Sequence, residues 1–175
     1  MSVETFFILD LNQRNDIIEI WGISNKGERI LLIDDSFTPC FYITPPKIDT
    51  SLINKFISSH SKVEIVKARI LRKEVNAVKV CTYISLLDKL IKKASKLIGS
   101  NNIFNEDIRP SISYLIDKRI VPSEWYSVEV KEHPAENFRV SKVLKISGRF
   151  KRVDLPLPSF RILSISIFPY KNLLI

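Results

Sequence analysis

The amino-acid sequence predicts an α+β fold that combines an antiparallel, β-rich subdomain with a ferredoxin-like or RNA-binding-like subdomain of the βαββαβ type. Short runs of β-branched and aromatic residues, separated by turn formers, fill the first quarter of the chain and indicate an antiparallel meander. A helix–strand–strand–helix order follows, with a further strand predicted at 102–104, and this order is typical of the βαββαβ arrangement. With 175 residues, of which 45% are hydrophobic, the chain is long enough to bury a core.

The strands of the predicted meander are bounded by polar turns. Residues 12–16 are turn formers, and Asn25-Lys26-Gly27 predicts a tight turn because glycine accepts a positive φ without cost. Prolines 45 and 46 end the last of these strands. The predicted strands are residues 3–11, 17–23, 29–33 and 40–44.

Two helices and several strands are predicted beyond the meander. Apolar residues at helical spacing predict a short helix at 52–59 and a longer helix at 85–98. We expect Ser85 and Asp88 to form a capping-box-like pair at the start of the longer helix, and Gly99 to end it. The remaining predicted strands are residues 63–70, 77–83, 126–130, 138–146 and 160–168.

The helix at 85–98 carries the strongest binding signal that residue spacing provides. Its lysines recur at i, i+3, i+4 and i+7 opposite an apolar stripe, so that one face of the helix is basic. A net charge of +8, from 27 basic and 19 acidic residues, favours an anionic partner, of which nucleic acid is the usual one. A solvated helix face and a merely basic surface are the alternative interpretations. The residues predicted to contact DNA are Lys89, Lys92, Lys93, Lys96, Arg72, Lys73, Lys118 and Arg119.

Neighbouring strands supply further candidates for a nucleic-acid surface. Lys67, Arg69 and Lys79 add positive charge to the predicted strands around the longer helix. Exposed aromatic side chains could stack on bases, whereas packing in the core is the alternative for such residues. The aromatic candidates are Phe41, Tyr42 and Tyr83.

A third, short helix is predicted between residues 105 and 122. Pro110 fits its first turn, where the missing N–H costs nothing, and Asp107 can accept hydrogen bonds from the free amides there. Pro122 ends the segment. The residues at helical spacing that we expect to face the core are Ile112, Leu115 and Ile116.

Residue types that commonly carry catalysis are sparse. His60 and His133 are isolated histidines in polar surroundings, for which a surface role is expected. Asp34-Asp35 follows a predicted strand, where a turn or capping role is expected rather than metal binding. The four glycines include no Gly-x-Gly spacing, which argues against a phosphate-binding loop. We therefore expect no catalytic residue, metal or cofactor in this chain.

The two cysteines and the hydropathy of the chain bear on its location. Cys40 and Cys81 lie in separate apolar runs, and we interpret them as buried free thiols, with a disulfide or a metal site as the alternatives. No run approaches the roughly 20 apolar residues that span a bilayer, and the N-terminus lacks the basic region of a secretory signal. These observations predict an intracellular, cytoplasmic protein without a membrane partner.

Three segments, in order along the first two-thirds of the chain, resemble archaeal family B DNA polymerases. Residues 6–10 (FFILD) are similar to the first strand of that family, and residues 35–42 (DSFTPCFY) are similar to a later strand entry. Residues 105–122 (NEDIRPSISYLIDKRIVP) resemble the segment that closes the family's N-terminal domain. The resemblance implies an N-terminal-like domain at residues 1–153. It also implies, at residues 154–175, a stiff linker and the first strand of a truncated exonuclease-like domain.

The same resemblance makes the predicted strand at 160–168 informative. In the family the corresponding strand ends in Asp-Ile-Glu, whose carboxylates hold catalytic metal ions, whereas Ser166 and Phe168 stand at those positions here. Serine and phenylalanine cannot anchor two hard divalent cations. The resemblance therefore implies that the exonuclease metal positions are lost and that the chain is non-catalytic by itself. Mg²⁺ is expected only in a complete polymerase.

The N-terminal domain of the family also holds a pocket that captures a flipped uracil base of the template strand. Pro39 and Ile108 match residues of that pocket, whereas Gln13 and Cys40 stand in place of tyrosines and Ser113 stands in place of an arginine. The loss of two rings and a guanidinium argues against uracil sensing. The predicted remnant of this pocket consists of Gln13, Pro39, Cys40, Ser85, Leu86, Leu87, Ile108 and Ser113.

Together these observations predict the N-terminal portion of a family B DNA polymerase of a divergent or split, exonuclease-deficient type, with a role in DNA replication or repair. The predicted partners are DNA, as single-stranded template or primer–template, and a second chain that carries the exonuclease or polymerase parts. A free-standing RNA- or DNA-binding regulatory protein with a ferredoxin-like core is the alternative from another class. A segment of a longer, active polymerase is a further alternative.

Overall fold

The computed structural model of the chain describes residues 2–44, 50–56, 60–70, 72–134, 138–160 and 164–165. It is a mixed α+β, β-rich structure, as the sequence predicts. Its strands are β1 (Ser2–Arg14), β2 (Ile17–Ser24), β3 (Arg29–Asp34), β4 (Cys40–Ile43), β5 (Ser61–Ile70), β6 (Lys73–Thr82), β7 (Ile103–Phe104), β8 (Trp125–Glu132), β9 (Lys142–Ile146) and β10 (Lys151–Val153). Its helices are α1 (Thr50–Asn54), α2 (Ile84–Ile98) and α3 (Pro110–Lys118), with a 3-10 turn at Ser100–Asn102.

Strands from the early and the late parts of the sequence close into a small barrel. The sheet runs in the order β1-β2-β3-β9-β8-β10, and β1 also pairs with β8, so that β1, β2, β3, β9 and β8 form a closed ring. All these pairings are antiparallel except that of β3 with β9, which is parallel. Closure pairs both edges of each strand in the ring, and the apolar side chains inside form the larger core. The sequence did not predict β10, which pairs with β8.

The close approach of β1 and β2 requires glycine at one position. Gly22 lies opposite Ile8, and a Cβ atom on Gly22 would come within 2.6 Å of the backbone oxygen of Phe7. The pairing register shifts between Ile8 and Asp10, directly beside this contact. Such an irregularity bends a strand, and strong bending is what a barrel with few strands needs.

Residues 40–104 form a second, smaller sheet. Its strands run in the order β5-β6-β4-β7, all antiparallel, and the elements follow each other as β4-α1-β5-β6-α2-β7. Helix α2 packs its apolar stripe, including Leu87 and Ala94, on a core that contains Phe41 and Val80. The prediction that residues 40–44 complete the meander is wrong, because β4 pairs with β6 and β7 instead of β3.

Helix α3 buries a different face from the one that residue spacing predicts. Pro110 occupies its first turn, as expected. Ile112 and Ile116, however, are 47% and 64% exposed, whereas Tyr114 is fully buried in the barrel core. The Tyr114 hydroxyl donates a hydrogen bond of 2.9 Å to the buried carboxylate of Asp34. Burying the largest side chain together with its hydrogen-bond acceptor therefore decides which face turns inward.

The ends of α3 also differ from the prediction. Asp107 does not cap the helix, since the N-cap residue is Arg109 and its side chain makes no capping hydrogen bond. The helix ends at Arg119, which adopts the left-handed conformation, so termination occurs before Pro122. Leu115 is partly buried against the barrel core, in agreement with its predicted position.

The N-terminus of α2 is capped from the barrel rather than from its own first turn. The helix begins at Ile84, and the predicted pair of Ser85 and Asp88 does not form a capping box. Instead, the backbone N–H and the hydroxyl of Ser85 donate to the two carboxylate oxygens of Asp16, at 2.7 and 2.9 Å. An acidic group there satisfies free backbone amides and lies at the positive end of the helix dipole. Gly99 is the C-cap residue, as predicted.

We expect the substitution Asp16→Ala to lower the free energy of unfolding by about 1 kcal/mol, because a helix amide and a hydroxyl lose their acceptor. The measurement is urea unfolding followed by circular dichroism. Asp154→Ala is the matched control: Asp154 is exposed, and its replacement should change stability by less than about 0.5 kcal/mol. Equal stability of the two variants would contradict the capping role of Asp16.

The two cysteines form a disulfide, so the prediction of free thiols is wrong. Cys40 on β4 and Cys81 on β6 are directly opposite each other, with Cα atoms 4.0 Å apart. The antiparallel register of the two strands creates this proximity between residues 41 positions apart in the sequence. The bridge therefore links the two central strands of the second sheet at one of their ends.

The segment after β10 runs along the barrel. The indole N–H of Trp125 donates to the carbonyl oxygen of Pro156 at 2.8 Å, and the ring centre of Phe160 lies 6.0 Å from that of Phe7. Of the strand predicted at 160–168, the described residues 160, 164 and 165 are not in a strand, and the others lie outside the described residues. Among the helices of the described ranges, none combines the length and hydrophobicity that a membrane crossing requires.

Candidate nucleic-acid interface

The outward face of α2 presents the predicted row of lysines. Lys89, Lys92 and Lys96 are exposed, and none of them lies within ion-pair distance of a carboxylate in the part of the chain that the structure describes. They line a surface depression of about 830 Å³, in which Asp88 is the acidic residue. The helix stripe therefore offers ammonium groups to an anionic partner, and phosphate oxygens are the usual partners of such a stripe.

Lys93, the fourth lysine of the stripe, is engaged within the protein. Its ammonium group donates to the backbone oxygen of Lys55 and lies 5.6 Å from the ring centre of Phe56. A cation over an aromatic ring is attracted by the electron-rich ring face. Lys93 thus links α2 to the residues that follow α1, and it is less available for a phosphate than the other three lysines.

The other predicted contact residues lie in two further places. Arg72 and Lys73 are exposed at the turn between β5 and β6. Lys118 and Arg119 lie at the end of α3 and line a separate cleft of about 480 Å³. The Lys118 ammonium group is 3.8 Å from the Asp34 carboxylate and 3.7 Å from that of Asp117, so its charge is partly compensated.

Three residues of the predicted base pocket come together. Gln13, Leu87 and Ile108 line a cleft of about 280 Å³ between the barrel, α2 and the segment before α3. The charged residues in the same lining are Asp88, Glu106, Asp107 and Arg109. Carboxylates repel phosphates, so this lining suits the edge of an uncharged base better than a nucleic-acid backbone.

The other five predicted pocket residues lie outside that lining. Ser85 and Leu86 face the depression on α2. Cys40 is bonded in the disulfide, and Pro39 directly precedes β4. Ser113 is half-buried within α3. The structure therefore assembles part of the expected pocket and distributes the rest over three elements.

The aromatic candidates have different environments. Phe41 is fully buried in the core beneath α2, so the alternative of core packing holds for it. Tyr83 is 42% exposed, and its ring centre lies 5.6 Å from that of His60. Tyr42 is half-buried on β4. Only exposed or half-exposed rings can stack on a base, so Tyr42 and Tyr83 remain as candidates for stacking.

The acidic pair at the end of β3 has a structural role. The carboxylate of Asp34 accepts hydrogen bonds from the backbone N–H of Ser36 at 2.9 Å and from the Tyr114 hydroxyl, and Asp35 pairs with Lys145 at 2.6 Å. Within the described ranges, no cluster of three or more His, Cys, Asp or Glu residues is placed to hold a metal ion. Ser166 and Phe168, the predicted lost metal positions, lie outside the described residues.

Sequence reasoning missed the residue that joins the two subdomains beside the lysine stripe. Asp16 lies in the turn between β1 and β2, and its partner Ser85 is 69 positions away. A turn aspartate usually bonds within its own turn, so the sequence contains no signal for this distant partner. The carboxylates in the cleft beside α2 were missed for the same reason, because they come from separate elements.

The sequence and the structure are both similar to DNA polymerases. A family model for "DNA polymerase family B, exonuclease domain" matches residues 101–172. "DNA polymerase 3" of Saccharolobus shibatae is 27% identical over 97% of this chain, and "DNA polymerase 3" of Saccharolobus solfataricus is 26% identical over the same share. The chain spans 23% of the length of each of these relatives.

A solved structure is similar to most of the fold. The family B DNA polymerase from the hyperthermophilic archaeon Pyrobaculum calidifontis superposes with a TM-score of 0.73 at 25% sequence identity. The similarity covers 89% of this chain and 21% of that polymerase. The resemblance seen in the sequence is thereby confirmed, and the matched part is the N-terminal and exonuclease-domain region of the polymerase family.

Proposed function

This chain is related to the archaeal family B DNA polymerases over most of its length, and from that premise we propose that it is a non-catalytic, DNA-contacting part of such a polymerase in replication or repair. The observation that carries the proposal is the relationship over 97% of the chain. The single-stranded template or the primer–template junction is the proposed partner.

The lysine stripe of α2 is the proposed contact with DNA. Lys89, Lys92 and Lys96 point away from the sheet and lack carboxylate partners among the described residues, so a phosphate backbone can approach them without breaking an ion pair. Exposed Arg72 and Lys73 extend the positive charge along the hairpin of β5 and β6. Neutralising phosphates releases bound counterions, which is the main source of non-specific affinity for DNA.

The absence of catalysis in this chain is proposed from two residues. The family match covers Ser166 and Phe168, where the resemblance implies the two metal-binding carboxylates of the exonuclease. Neither side chain supplies the carboxylate oxygens that Mg²⁺ prefers. Mg²⁺ is therefore proposed only for a complete polymerase. Removal or addition of nucleotides by the purified chain with Mg²⁺ would contradict this part of the proposal.

We assign residues 1–153 to an N-terminal-like domain and 154–175 to a linker with the first strand of an exonuclease-like domain. The strand order β5-β6-β4-β7 and the alternation of its helices support a ferredoxin-like subdomain inserted in the barrel. Leu157 and Ile165 are 75% and 73% exposed, and Phe160 is 46% exposed. Exposed apolar groups in one segment favour docking on further polymerase parts, in the same chain or a second one.

The triple substitution Lys89→Gln, Lys92→Gln and Lys96→Gln is expected to weaken binding of a primer–template DNA. If each lysine neutralises one phosphate, the slope of log affinity against log salt concentration should fall by about 2 to 3, since each contact contributes roughly 0.7 to 0.9. The measurement is fluorescence anisotropy of a labelled primer–template between about 50 and 200 mM salt.

A matched control separates a defined contact from net charge. Lys26→Gln, Lys131→Gln and Lys151→Gln remove three exposed lysines from the barrel and give the same net charge as the α2 variant. The control should retain nearly the affinity and salt dependence of the unmodified chain. An equal loss in both variants would show that the α2 stripe is not the contact surface.

A further inference from the structure

The face of the second sheet opposite α2 carries a groove that the sequence did not identify. On β4, Phe41 and Ile43 are fully buried toward the core of α2, so Tyr42 points to the other face of the sheet. Phe56, which follows α1, belongs to the same core as α2. In the described part of the chain, both helices of this subdomain therefore cover one face, and the opposite face is open.

The strand register aligns aromatic and charged side chains in one row across this open face. Tyr42 is directly opposite Phe104 on β7 and directly opposite Lys79 on β6, and Lys79 is opposite Glu64 on β5. Directly opposed residues of antiparallel strands project on the same side, with Cβ atoms about 5 Å apart. Two half-buried aromatic rings consequently lie on neighbouring strands of the open face.

Tyr42 and Phe104 line a groove of about 560 Å³. Its other walls are apolar at Val66 and Ala68, and a groove of this volume is within the range of small-ligand sites. The remaining residues of the lining are Lys67, Arg69, Lys79 and Asn105. The lining thus contains cations but no carboxylate, in contrast to the acidic cleft beside Gln13.

The cations of the groove are not equally available. Lys79 lies 3.4 Å from the carboxylate of Glu64, which compensates part of its charge. Lys67 and Arg69 are exposed and have no carboxylate within ion-pair distance among the described residues. Lys67 and Arg69, however, alternate with Val66 and Ala68 along β5, so their side chains project to the opposite face of the sheet. The open groove thus offers two flat rings beside Lys79.

We propose that this groove binds a short single-stranded segment of nucleic acid, with bases stacked on Tyr42 and Phe104 and a phosphate paired with Lys79. Every base has a flat π face, and aromatic platforms beside a basic track bind single strands with little sequence preference. A duplex hides those base faces and does not fit this chemistry. The groove lies across the sheet from the α2 stripe, so the two surfaces can be altered separately.

The test compares ligands that differ by one feature, using the complete chain and fluorescence anisotropy. A labelled eight-nucleotide oligothymidine tests binding of single-stranded DNA, and a labelled eight-nucleotide oligouridine tests binding of single-stranded RNA. Thymidine monophosphate and an abasic oligomer of the same length serve as competitors. The oligothymidine or the oligouridine should bind, and both competitors should displace it poorly. Competition by the monophosphate or the abasic oligomer at the concentration of the intact strand would overturn the proposal.

The variant Tyr42→Leu with Phe104→Leu retains apolar volume and removes both stacking faces. It is expected to weaken oligonucleotide binding by about tenfold or more, given the usual contribution of base–aromatic stacking. Ile116→Ala, which truncates an exposed side chain of α3 outside the groove, should leave binding unchanged. Loss of oligonucleotide binding in the triple α2 variant, with full binding by the leucine pair, would assign single strands to α2 instead.

A second measurement uses the unmodified chain and is independent of variant folding. Photocrosslinking with an oligonucleotide that carries a 4-thiothymidine base should modify peptides that contain Tyr42 or Phe104. Crosslinks confined to peptides of α2 or of the barrel would overturn the assignment. Lys79→Gln should reduce the salt-dependence slope by about 0.7, the contribution of one single-strand phosphate contact.

Discussion

Replacing Tyr114 with alanine is expected to lower the free energy of unfolding by about 3 to 5 kcal/mol, the range for removing a buried aromatic side chain. Tyr114 is fully buried in the barrel core, and its ring centre lies 5.0 Å from that of Phe37. Its removal also takes a hydrogen-bond donor from the buried carboxylate of Asp34. Urea unfolding followed by intrinsic fluorescence gives the change.

Ile116→Ala provides the control on the same helix. Ile116 is 64% exposed, so its truncation should change the free energy of unfolding by no more than about 0.5 kcal/mol. A comparable loss in both variants would mean that the face of α3 carrying Ile116 is buried as well, which would contradict the observed orientation of the helix.

The pH dependence of stability distinguishes the contribution of the Tyr114 hydroxyl from the contribution of its ring. Burial, and next the nearby Asp34 carboxylate, raise the pKa of Tyr114 above its ordinary value. The unfolded chain therefore releases this proton near pH 10 while the folded chain retains it, so its contribution to stability is complete below that pH and is lost as pH rises. Tyr114→Phe should be less stable than the unmodified chain at pH 7 by about 1 to 3 kcal/mol. That difference should shrink above about pH 10, because the variant lacks the titrating group.

Removing the disulfide is the other change with a large expected effect. The chain-entropy model predicts a loss of about 4 kcal/mol for a loop closed by residues 41 positions apart, within the usual range of 2 to 5 kcal/mol. Cys40→Ala with Cys81→Ala should therefore unfold at a much lower urea concentration than the unmodified chain.

The reductant dithiothreitol supplies the matched comparison. It should destabilise the unmodified chain and leave the double alanine variant unaffected, because the variant has no disulfide to reduce. Thiol titration in denaturant, before reduction, should find neither Cys40 nor Cys81 reactive. Reactive thiols in the unreduced protein would show that the two residues are not bonded.

Local sequence patterns predicted most of the helices and strands. They did not predict which distant strands pair with each other. The turn at Gly27 has φ of +79°, as its residue type indicates, and β1, β2 and β3 follow the predicted strand order. The parallel pairing of β3 with β9 joins Ile30 to Lys142, and no local periodicity reports such a partner. The disulfide and the hydrogen bonds between Asp16 and Ser85 were not predicted for the same reason, because their partners are distant in the sequence.

The candidate sites show the same difference between local and long-range signals. The lysine stripe of α2 lies within one helix, so the 3.6-residue period was sufficient to predict its outward face. The open-face groove is made by four strands, and Phe104 belongs to a strand of only two residues, which is too short for an alternating pattern. Its position opposite Tyr42 emerges from the register alone.

The interleaved order of the two sheets has a consequence for biosynthesis. Every hydrogen-bonded pair of the smaller sheet lies within residues 40–104, so this sheet can be complete while the later barrel strands are still missing. During that interval β3, whose centre is the apolar run from Ile30 to Ile33, has no neighbour along one side. An unpaired apolar strand recruits other chains, so the nascent polypeptide is most vulnerable to aggregation until β9 emerges and covers it.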